Sequence, residues 1–315
     1  MSAVISKRKA LYEWKIYLFL VPSLVLIGIF SYVPAFSTIY HSFFRWSGGD
    51  AKEFIGLTNF KTILGDTVFW NSFVTIGILV LANIVKMVPS IFMAVCIHRL
   101  KSDQWQYYYR VLVVLPMIVP SLVILFIWKF FFNPTQGVLN QFLDVTGIKG
   151  FLVELDQIFH WGIFFADVPI SWLGTPGLII PSLIIWGFPW IGAVGVLIYL
   201  AGLQSIGTEV YEAAELDGVN SLQKFLHIEF PLIMTQVRIS IVLLVIGTLQ
   251  SYGLQFLLLG SNGGPGQKGM VPGLWMFAKA FSAGEFGYAC ALGLFLFLFI
   301  LALTYINNRY VRVDK

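Results

Sequence analysis

The chain has 315 residues, of which 58% are hydrophobic and only 11% are charged, whereas a soluble domain has about 25% charged residues. A soluble globule of this size could not bury so much apolar surface, and a disordered chain would have more charge and fewer large apolar side chains. The net charge of +4 is too small and too dispersed to indicate nucleic acid binding. The composition therefore predicts a membrane protein.

Six apolar stretches are long enough to cross a hydrocarbon core of about 30 Å, which needs about 20 residues per helix. In chain order they are residues 16–40, 73–97, 111–131, 178–203, 239–259 and 288–306. The first stretch is too long for a cleaved signal peptide, and no small-residue cleavage site follows it. The pattern predicts an all-α, polytopic fold of about six transmembrane helices within residues 16–307.

The distribution of basic residues predicts the orientation, because cytoplasmic segments carry an excess of Lys and Arg. With both termini inside, the inner segments hold twelve of the 20 Lys and Arg residues and the outer segments hold seven, while Lys86 lies within the second span. We therefore expect a cytoplasmic N-terminal segment at 1–15 and a cytoplasmic tail at 308–315.

The inner loop, residues 204–238, has the pattern of two short helices. Thr208 is a candidate cap for the first helix, and Gly218 stands where that helix would stop, since glycine adopts the left-handed conformation without penalty. Asn220 or Ser221 would begin a second helix, which Pro231 restricts. Such a pair suits the docking of a partner protein, but an amphipathic helix resting on lipid fits the composition equally well.

A motif in this loop favours the docking interpretation. It reads Glu212-Ala213-Ala214-x-x-Asp217-Gly218 and continues, nine residues later, with Ile228-x-Phe230-Pro231. This motif resembles the EAA signature of the MalF-like and UgpA-like permeases of carbohydrate-class ABC importers, with Phe230 in place of the usual Leu. The outer segments Gly56-Leu57-x-Asn59-Phe60 and Asn262-Gly-Gly-Pro265 are similar to the same group, so the resemblance covers most of the chain.

The resemblance implies a type I ABC importer permease in the cytoplasmic membrane of a bacterium or archaeon. It assigns ATPase coupling to seven residues, namely Glu212, Ala213, Ala214, Asp217, Gly218, Ile228 and Pro231. The implied partners are a second homologous permease, two cytoplasmic ATPase subunits that carry ATP and Mg, and an extracytoplasmic substrate-binding protein. This chain is expected to hold no cofactor, because its nearest glycine-rich segment, at 263–269, lacks the spacing of a phosphate-binding loop.

The resemblance to maltose-type members also implies a substrate site on the fourth and fifth spans, at Trp186, Gly187, Trp190, Leu249 and Gln250. The residue types fit, since sugar sites combine aromatic faces with a few polar groups, and Pro189 would break the fourth span and free backbone carbonyls. Helix packing or an interfacial aromatic belt would explain the tryptophans equally well.

Lys86 lies near the middle of the second span, where a charge facing lipid costs at least about 2.5 kcal/mol. It should therefore face protein or water. It is a candidate for contact with an acidic or hydroxyl-bearing substrate, but a structural hydrogen bond to neighbouring carbonyls or to the partner permease is a simpler role. The predicted spans contain no acidic residue to pair with it.

No nucleophile, acid–base pair or metal-ligand spacing emerges from the four histidines and two cysteines, so we expect a transport subunit rather than an enzyme. An ion-coupled secondary transporter is the alternative function. It would normally show ionisable residues in several spans, and the EAA-like motif argues against it. The long outer loop, 132–177, could rest on the membrane surface or contact the binding protein.

Overall fold

The computed structural model describes residues 17–310, in two compact units. The first unit contains the described residues up to Asp66 together with Met276–Leu298, and the second contains Thr67–Trp275 and the described residues from Phe299 onward. The predicted N-terminal segment 1–15 and residues 311–315 of the predicted tail lie outside the described residues.

The first unit begins with a long apolar helix and a small hairpin. Its elements are α1 (Val21–Ile27), a π-helical turn (Gly28–Tyr32), α2 (Val33–His41), β1 (Phe44–Trp46), β2 (Lys52–Phe54) and α3 (Thr58–Gly65). The strands are antiparallel, and Arg45 opposes Glu53 across them with a salt bridge of 2.7 Å between Nη1 and Oε2. This two-stranded hairpin is an addition to the predicted all-α architecture.

The rest of the described chain is helical. The helices are α4 (Thr67–Val85), α5 (Met87–His98), α6 (Asp103–Val114), α7 (Ser121–Phe131), α8 (Val138–Val145), α9 (Ile148–Phe159), α10 (Pro176–Ile185), α11 (Ala193–Gln204), α12 (Thr208–Leu216), α13 (Ser221–Lys224), α14 (Phe230–Leu232), α15 (Met234–Gln250), α16 (Gly253–Leu259), α17 (Pro272–Phe277) and α18 (Phe286–Tyr310). Short 3₁₀ or π turns connect several of them, at Leu115–Ile118, Phe225–Glu229, Pro265–Gln267 and Ala278–Ser282.

The predicted polytopic all-α architecture is confirmed, although several of its spans are broken. Among the described residues, three helices are long and apolar enough to cross a membrane by themselves, and bent helix pairs raise the number to as many as six. The third predicted span bends by 85° between α6 and α7. Its break lies at Val119, which is extended (φ −72°, ψ 126°) because the following Pro120 disfavours helical backbone.

The fourth and fifth predicted spans are also not continuous helices. The fourth, 178–203, consists of α10 and α11 with a non-helical segment between them, and the fifth, 239–259, is interrupted between α15 and α16. Large apolar side chains of α5, α11 and α15 form one buried cluster, which includes Ile91, Val95, Val196, Leu203 and Val237. A second cluster joins α4 and α10 to the segments after α15, with Ile76, Ile179, Leu183, Leu258 and Leu274 at its centre.

The long loop between α7 and α10 is folded. Its helices α8 and α9 pack over a buried cluster that includes Phe132, Leu143 and Trp172. The Asn140 side chain satisfies the polar groups there, since it donates to Ile170 O (2.9 Å) and accepts from Trp172 Nε1 (2.7 Å). The structure therefore packs this predicted outer loop into a core that it shares with α7 and α10, whereas its membrane or binding-protein contact stays a prediction.

A buried carboxylate at the end of α9 orders the loop that follows. Asp156 accepts backbone hydrogen bonds from Gly162 (2.8 Å), Ile163 (2.9 Å) and Phe164 (2.7 Å). Burial raises the pKa of Asp156, but the hydrogen bonds from these amides and that of Trp161 outweigh burial and lower the pKa below its usual 3.8. The ionised carboxylate is thus the form that this loop requires.

We predict that the order of this loop depends on pH. A depressed pKa contributes stability that is fully present above 3.8 and is lost as the pH falls through the lower folded-state pKa. Hydrogen-exchange protection factors of the Gly162–Phe164 amides should therefore drop at acidic pH. Asp156→Asn should lower them already at neutral pH, whereas Asp144→Asn, at an exposed carboxylate, should not. Equal protection in all three proteins would contradict the role of Asp156.

Candidate functional site

The first candidate site is the segment between α11 and α15, which forms the two short helices that the sequence predicts. The proposed capping role of Thr208 is wrong. Gly207 holds the extended N-cap position (φ −62°, ψ 148°) and no side chain caps the helix there. Thr208 is already the first helical residue, whereas a capping side chain must belong to the residue before the first turn.

The turn after α12 depends on Gly218, as predicted. Its φ is +71°, and its N–H donates to Glu215 O (3.1 Å), while the N–H of Val219 donates to Ala214 O (3.1 Å). This pair of bonds is the Schellman motif, which places a glycine in the left-handed region just beyond a helix. No neighbouring atom would meet a Cβ at this position, so only the backbone conformation requires the glycine.

The second helix begins as expected, at Asn220. The Asn220 side chain accepts from the backbone N–H groups of Leu222 (3.1 Å) and Gln223 (2.9 Å), and the Gln223 side chain accepts from Asn220 N (3.0 Å). This reciprocal capping box fixes where α13 starts. Helical backbone then continues through the π turn and ends at Leu232, one residue beyond Pro231.

Two polar contacts attach this helix pair to the end of the second span. Arg99 donates to both carboxylate oxygens of Glu229, at 2.6 and 3.1 Å, and also to Ser221 O at 2.9 Å. The Glu229 side chain is fully buried, whereas that of Arg99 is 30% exposed. One residue earlier, His98 Nε2 and the Tyr211 hydroxyl share a hydrogen bond of 3.0 Å. Charge-assisted, bidentate pairing is the strong form of such contacts.

The motif residues divide between an exposed and a buried face. The exposed members are Glu212, Ala213, Asp217, Gly218 and Pro231. Ala214 is buried against the body of the protein, and Ile228 is half-buried. Beside the exposed members, Leu216 is 90% and Leu222 is 66% exposed. The two helices thus present a short acidic and apolar surface around the Gly218 turn.

The second candidate site is a cavity of 480 Å³ beside the break in the fourth span. Four of the predicted substrate residues line it, and they are Lys86, Trp186, Gly187 and Trp190. The indole N–H groups of both tryptophans are buried and have no hydrogen-bond partner. An unsatisfied buried donor of this kind costs about 1–3 kcal/mol.

The remaining two predicted substrate residues lie elsewhere. Leu249 is buried in the second core cluster, and Gln250 is exposed and lines neither this cavity nor an adjoining one of 370 Å³. Thr248 lines the adjoining cavity. Leu249 and Gln250 are the next two residues of α15 and lie on other faces of the helix, so their side chains point away from this cavity. The structure therefore brings together four of the six residues.

The break in the fourth span has a local cause. A helix continuing through Pro189 would lack one hydrogen bond and would clash with the carbonyl of Ile185, and α10 accordingly ends at Ile185. Gly187 and Trp190 follow with φ values of +81° and +60°. Trp190 is a bulky residue in a region that favours glycine, and such strain is typical of functional segments.

Lys86 stabilises the end of α10. Its ammonium group donates to Leu183 O (3.2 Å) and Trp186 O (3.4 Å), which are carbonyls that the broken helix leaves without an intrahelical partner. The structural hydrogen bonds considered for Lys86 are therefore present. Lys86 also lies 5.8 Å from the centroid of the Trp190 ring and lines both cavities.

Sequence reasoning missed two polar residues on the same face as Lys86. Ser90 donates to Trp190 O (3.2 Å) and accepts from Gly192 N (2.9 Å), so it holds the far end of the break. Asn83 donates to Thr248 Oγ1 at 3.1 Å. Their spacing of three and four residues from Lys86 is the signal that could have identified them, because such residues share one face of a helix.

Comparisons with known proteins identify the family. The family described as "Binding-protein-dependent transport system inner membrane component" matches residues 86–312. The chain belongs to this family. It is 30% identical to the probable ABC transporter permease protein YurN of Bacillus subtilis (strain 168), over 95% of this chain and 96% of that protein.

Further relatives agree with this assignment. The trehalose/maltose transport system permease protein MalF of Thermococcus litoralis is 26% identical, over 95% of this chain and 93% of that protein. The fold is similar to that of a chain in the crystal structure of a bacterial alginate ABC transporter in complex with an alginate pentasaccharide-bound periplasmic protein. The TM-score is 0.76 and the sequence identity is 19%, and the match covers 98% of this chain and 99% of that chain.

Family membership confirms the resemblance seen in the EAA-like motif. The protein is a membrane-embedded permease component of an ABC importer, and this overrules the ion-coupled secondary transporter considered as the alternative. Components of this family are transport subunits rather than enzymes.

We predict that the Arg99–Glu229 pair holds the loop in place. Arg99→Met leaves the buried Glu229 carboxylate without its cation. Breaking a buried pair in this way lowers the free energy of unfolding by about 3–5 kcal/mol. The loss should lie toward the lower end of this range, because Arg99 is partly exposed. Thermal unfolding of the purified permease in detergent measures the loss. Arg45→Met is the matched control, since its pair is exposed and should contribute at most about 1 kcal/mol. Equal melting shifts in the two variants would contradict the prediction.

Proposed function

We propose that this permease imports a sugar or oligosaccharide. Two properties of the larger cavity support the proposal. Its 480 Å³ falls within the range of about 300–1,000 Å³ typical of small-molecule sites, and its walls combine the Trp186 and Trp190 rings with a few polar groups. The trehalose/maltose permease among its relatives supports the same class of substrate.

The proposed assembly contains this chain, a second homologous permease, two ATPase subunits and a substrate-binding protein. The alginate transporter in complex with a loaded periplasmic protein supports the last of these partners. In this proposal ATP and Mg are held by the ATPase subunits, and this chain holds no cofactor. Both termini face the cytoplasm, in agreement with the excess of Lys and Arg on that side.

The loop between α11 and α15 is the proposed contact with an ATPase subunit. The exposed carboxylates of Glu212 and Asp217, together with Leu216, form the docking surface. Arg99 and His98 attach the same loop to α5, so a movement of the ATPase subunit is transmitted to the spans. A loop that merely rested on lipid would not need the carboxylate of Glu229 to be buried and paired.

The direct test of the proposed function is reconstitution. The permease should co-purify with a second permease and two ATPase subunits, and a native mass measurement gives that stoichiometry. Proteoliposomes of this assembly, supplied with the binding protein, should take up a radiolabelled sugar from a panel of mono- and oligosaccharides only when ATP is inside the vesicles. A transport-competent homodimer, or sugar uptake independent of ATP, would contradict the proposal.

We predict that Trp190→Ala lowers sugar uptake, because the cavity loses the ring against which the apolar face of a sugar would pack. The loss of one aromatic contact should reduce uptake by about tenfold. Gln250→Ala tests the family resemblance separately. The resemblance predicts reduced uptake, because one hydrogen bond to the substrate, of about 0.5–1.5 kcal/mol, would be lost. The structure, in contrast, places Gln250 outside both cavities. Wild-type uptake by both variants would place the substrate site elsewhere.

We predict that Gly218→Ala uncouples ATP hydrolysis from uptake. A Cβ in the left-handed conformation costs about 1–2 kcal/mol, and relief of this strain would misalign the two docking helices. The measurement is ATPase activity stimulated by the loaded binding protein. Gly218→Asn is the matched control, since asparagine tolerates this conformation, and it should retain most of the stimulation. Full stimulation and uptake by Gly218→Ala would refute the coupling role of this turn.

A further inference from the structure

Lys86 is the only charged residue that lines either of the two cavities in the described part of the chain. It forms part of the wall of both, together with Asn83, Trp186 and Leu244. A solute in either cavity would therefore lie beside this side chain.

The hydrogen bonds of Lys86 do not neutralise its charge. Leu183 O and Trp186 O accept two of its three N–H groups, but carbonyl groups are dipoles and leave a net positive charge in a poorly solvated site. A buried charge is normally paired with an opposite charge. None of the described residues around the two cavities is acidic, so the third N–H and the charge are available to a ligand.

Two of the other buried, unpartnered groups beside the larger cavity have the same polarity as Lys86, whereas the Ser240 hydroxyl can donate or accept. The buried side-chain groups of Trp186 and Trp190 that lack a hydrogen-bond partner are N–H donors. Indole nitrogen can only donate a hydrogen bond, as can the Lys86 ammonium. A positive charge with two indole donors and a hydroxyl close by suits a ligand that brings acceptor oxygens and negative charge.

We propose that the sugar imported by this permease carries an acidic group, a carboxylate or a phosphate, that pairs with Lys86 during passage. This inference rests on the proposed sugar import and specifies its substrate class. The aromatic rings of Trp186 and Trp190 would hold the apolar face of the sugar, while Lys86 would hold the anionic group. Lys86 thus stabilises the broken helix with two of its N–H groups and selects the substrate with the third.

The test separates the charge of Lys86 from its structural hydrogen bonds. Lys86→Arg keeps the charge, Lys86→Gln keeps a donor for the carbonyls but removes the charge, and Lys86→Met removes both. Each variant is assembled into the complete importer with its binding protein and reconstituted in proteoliposomes. The probes are a hexuronic acid disaccharide, a hexose phosphate and a neutral hexose disaccharide, and ATP-dependent uptake is the measurement.

We expect the wild-type importer to take up at least one acidic probe in preference to the neutral disaccharide. Lys86→Gln should lower this uptake by about tenfold or more, the effect of losing one charge-assisted hydrogen bond, while Lys86→Arg retains most of it. The hexuronate and phosphate arms then show which acidic group is used.

Three results would overturn the inference. Wild-type uptake of only the neutral disaccharide would leave sugar import intact and show that the substrate needs no charge. Undiminished uptake of the acidic probe by Lys86→Gln would show that Lys86 acts only on the helix end, or that a carboxylate of the second permease neutralises it. ATP-dependent uptake of none of the probes would overturn the acidic substrate class together with sugar import.

Discussion

A helix that ends inside a membrane must have its freed backbone groups satisfied by protein, because lipid supplies no hydrogen bonds. The break between α10 and α11 shows how this permease meets that requirement. Lys86 donates to two carbonyls at the end of α10, and Ser90 binds Trp190 O and Gly192 N at the other end of the break. The cavity lies beside this break, and these side chains of the second span satisfy the backbone groups at both of its ends.

The same span also holds the proposed coupling loop. Helix α5 is about 18 Å long at 1.5 Å per residue, with the contacts of Lys86 and Ser90 near its beginning and those of His98 and Arg99 at its end. Its middle is packed against α11 in the first core cluster. A force on the loop therefore reaches the cavity through one packed helix. This continuity gives a physical route by which closure of ATPase subunits would change the shape of the substrate path.

Much of this architecture could be predicted from the sequence. The apolar lengths gave the polytopic all-α fold, and Gly218 and Asn220 gave the turn and the second short helix, because such signals act locally. The bend at Pro120 and the Arg99–Glu229 pair escaped prediction for opposite reasons. The first lies within a stretch whose hydropathy is continuous, and the second joins residues 130 positions apart, which no local pattern reveals. The placement of Leu249 and Gln250 away from the cavities likewise depends on packing rather than on motif.

The central claim is that substrate crosses this chain beside the Trp186–Gly192 break. It is tested most directly by a cryo-EM structure of the complete importer, trapped with nucleotide and with its sugar. We predict sugar density against the rings of Trp186 and Trp190, within reach of Lys86. The claim would be contradicted if side chains of the second permease filled this cavity and the sugar occupied a path lined by other residues.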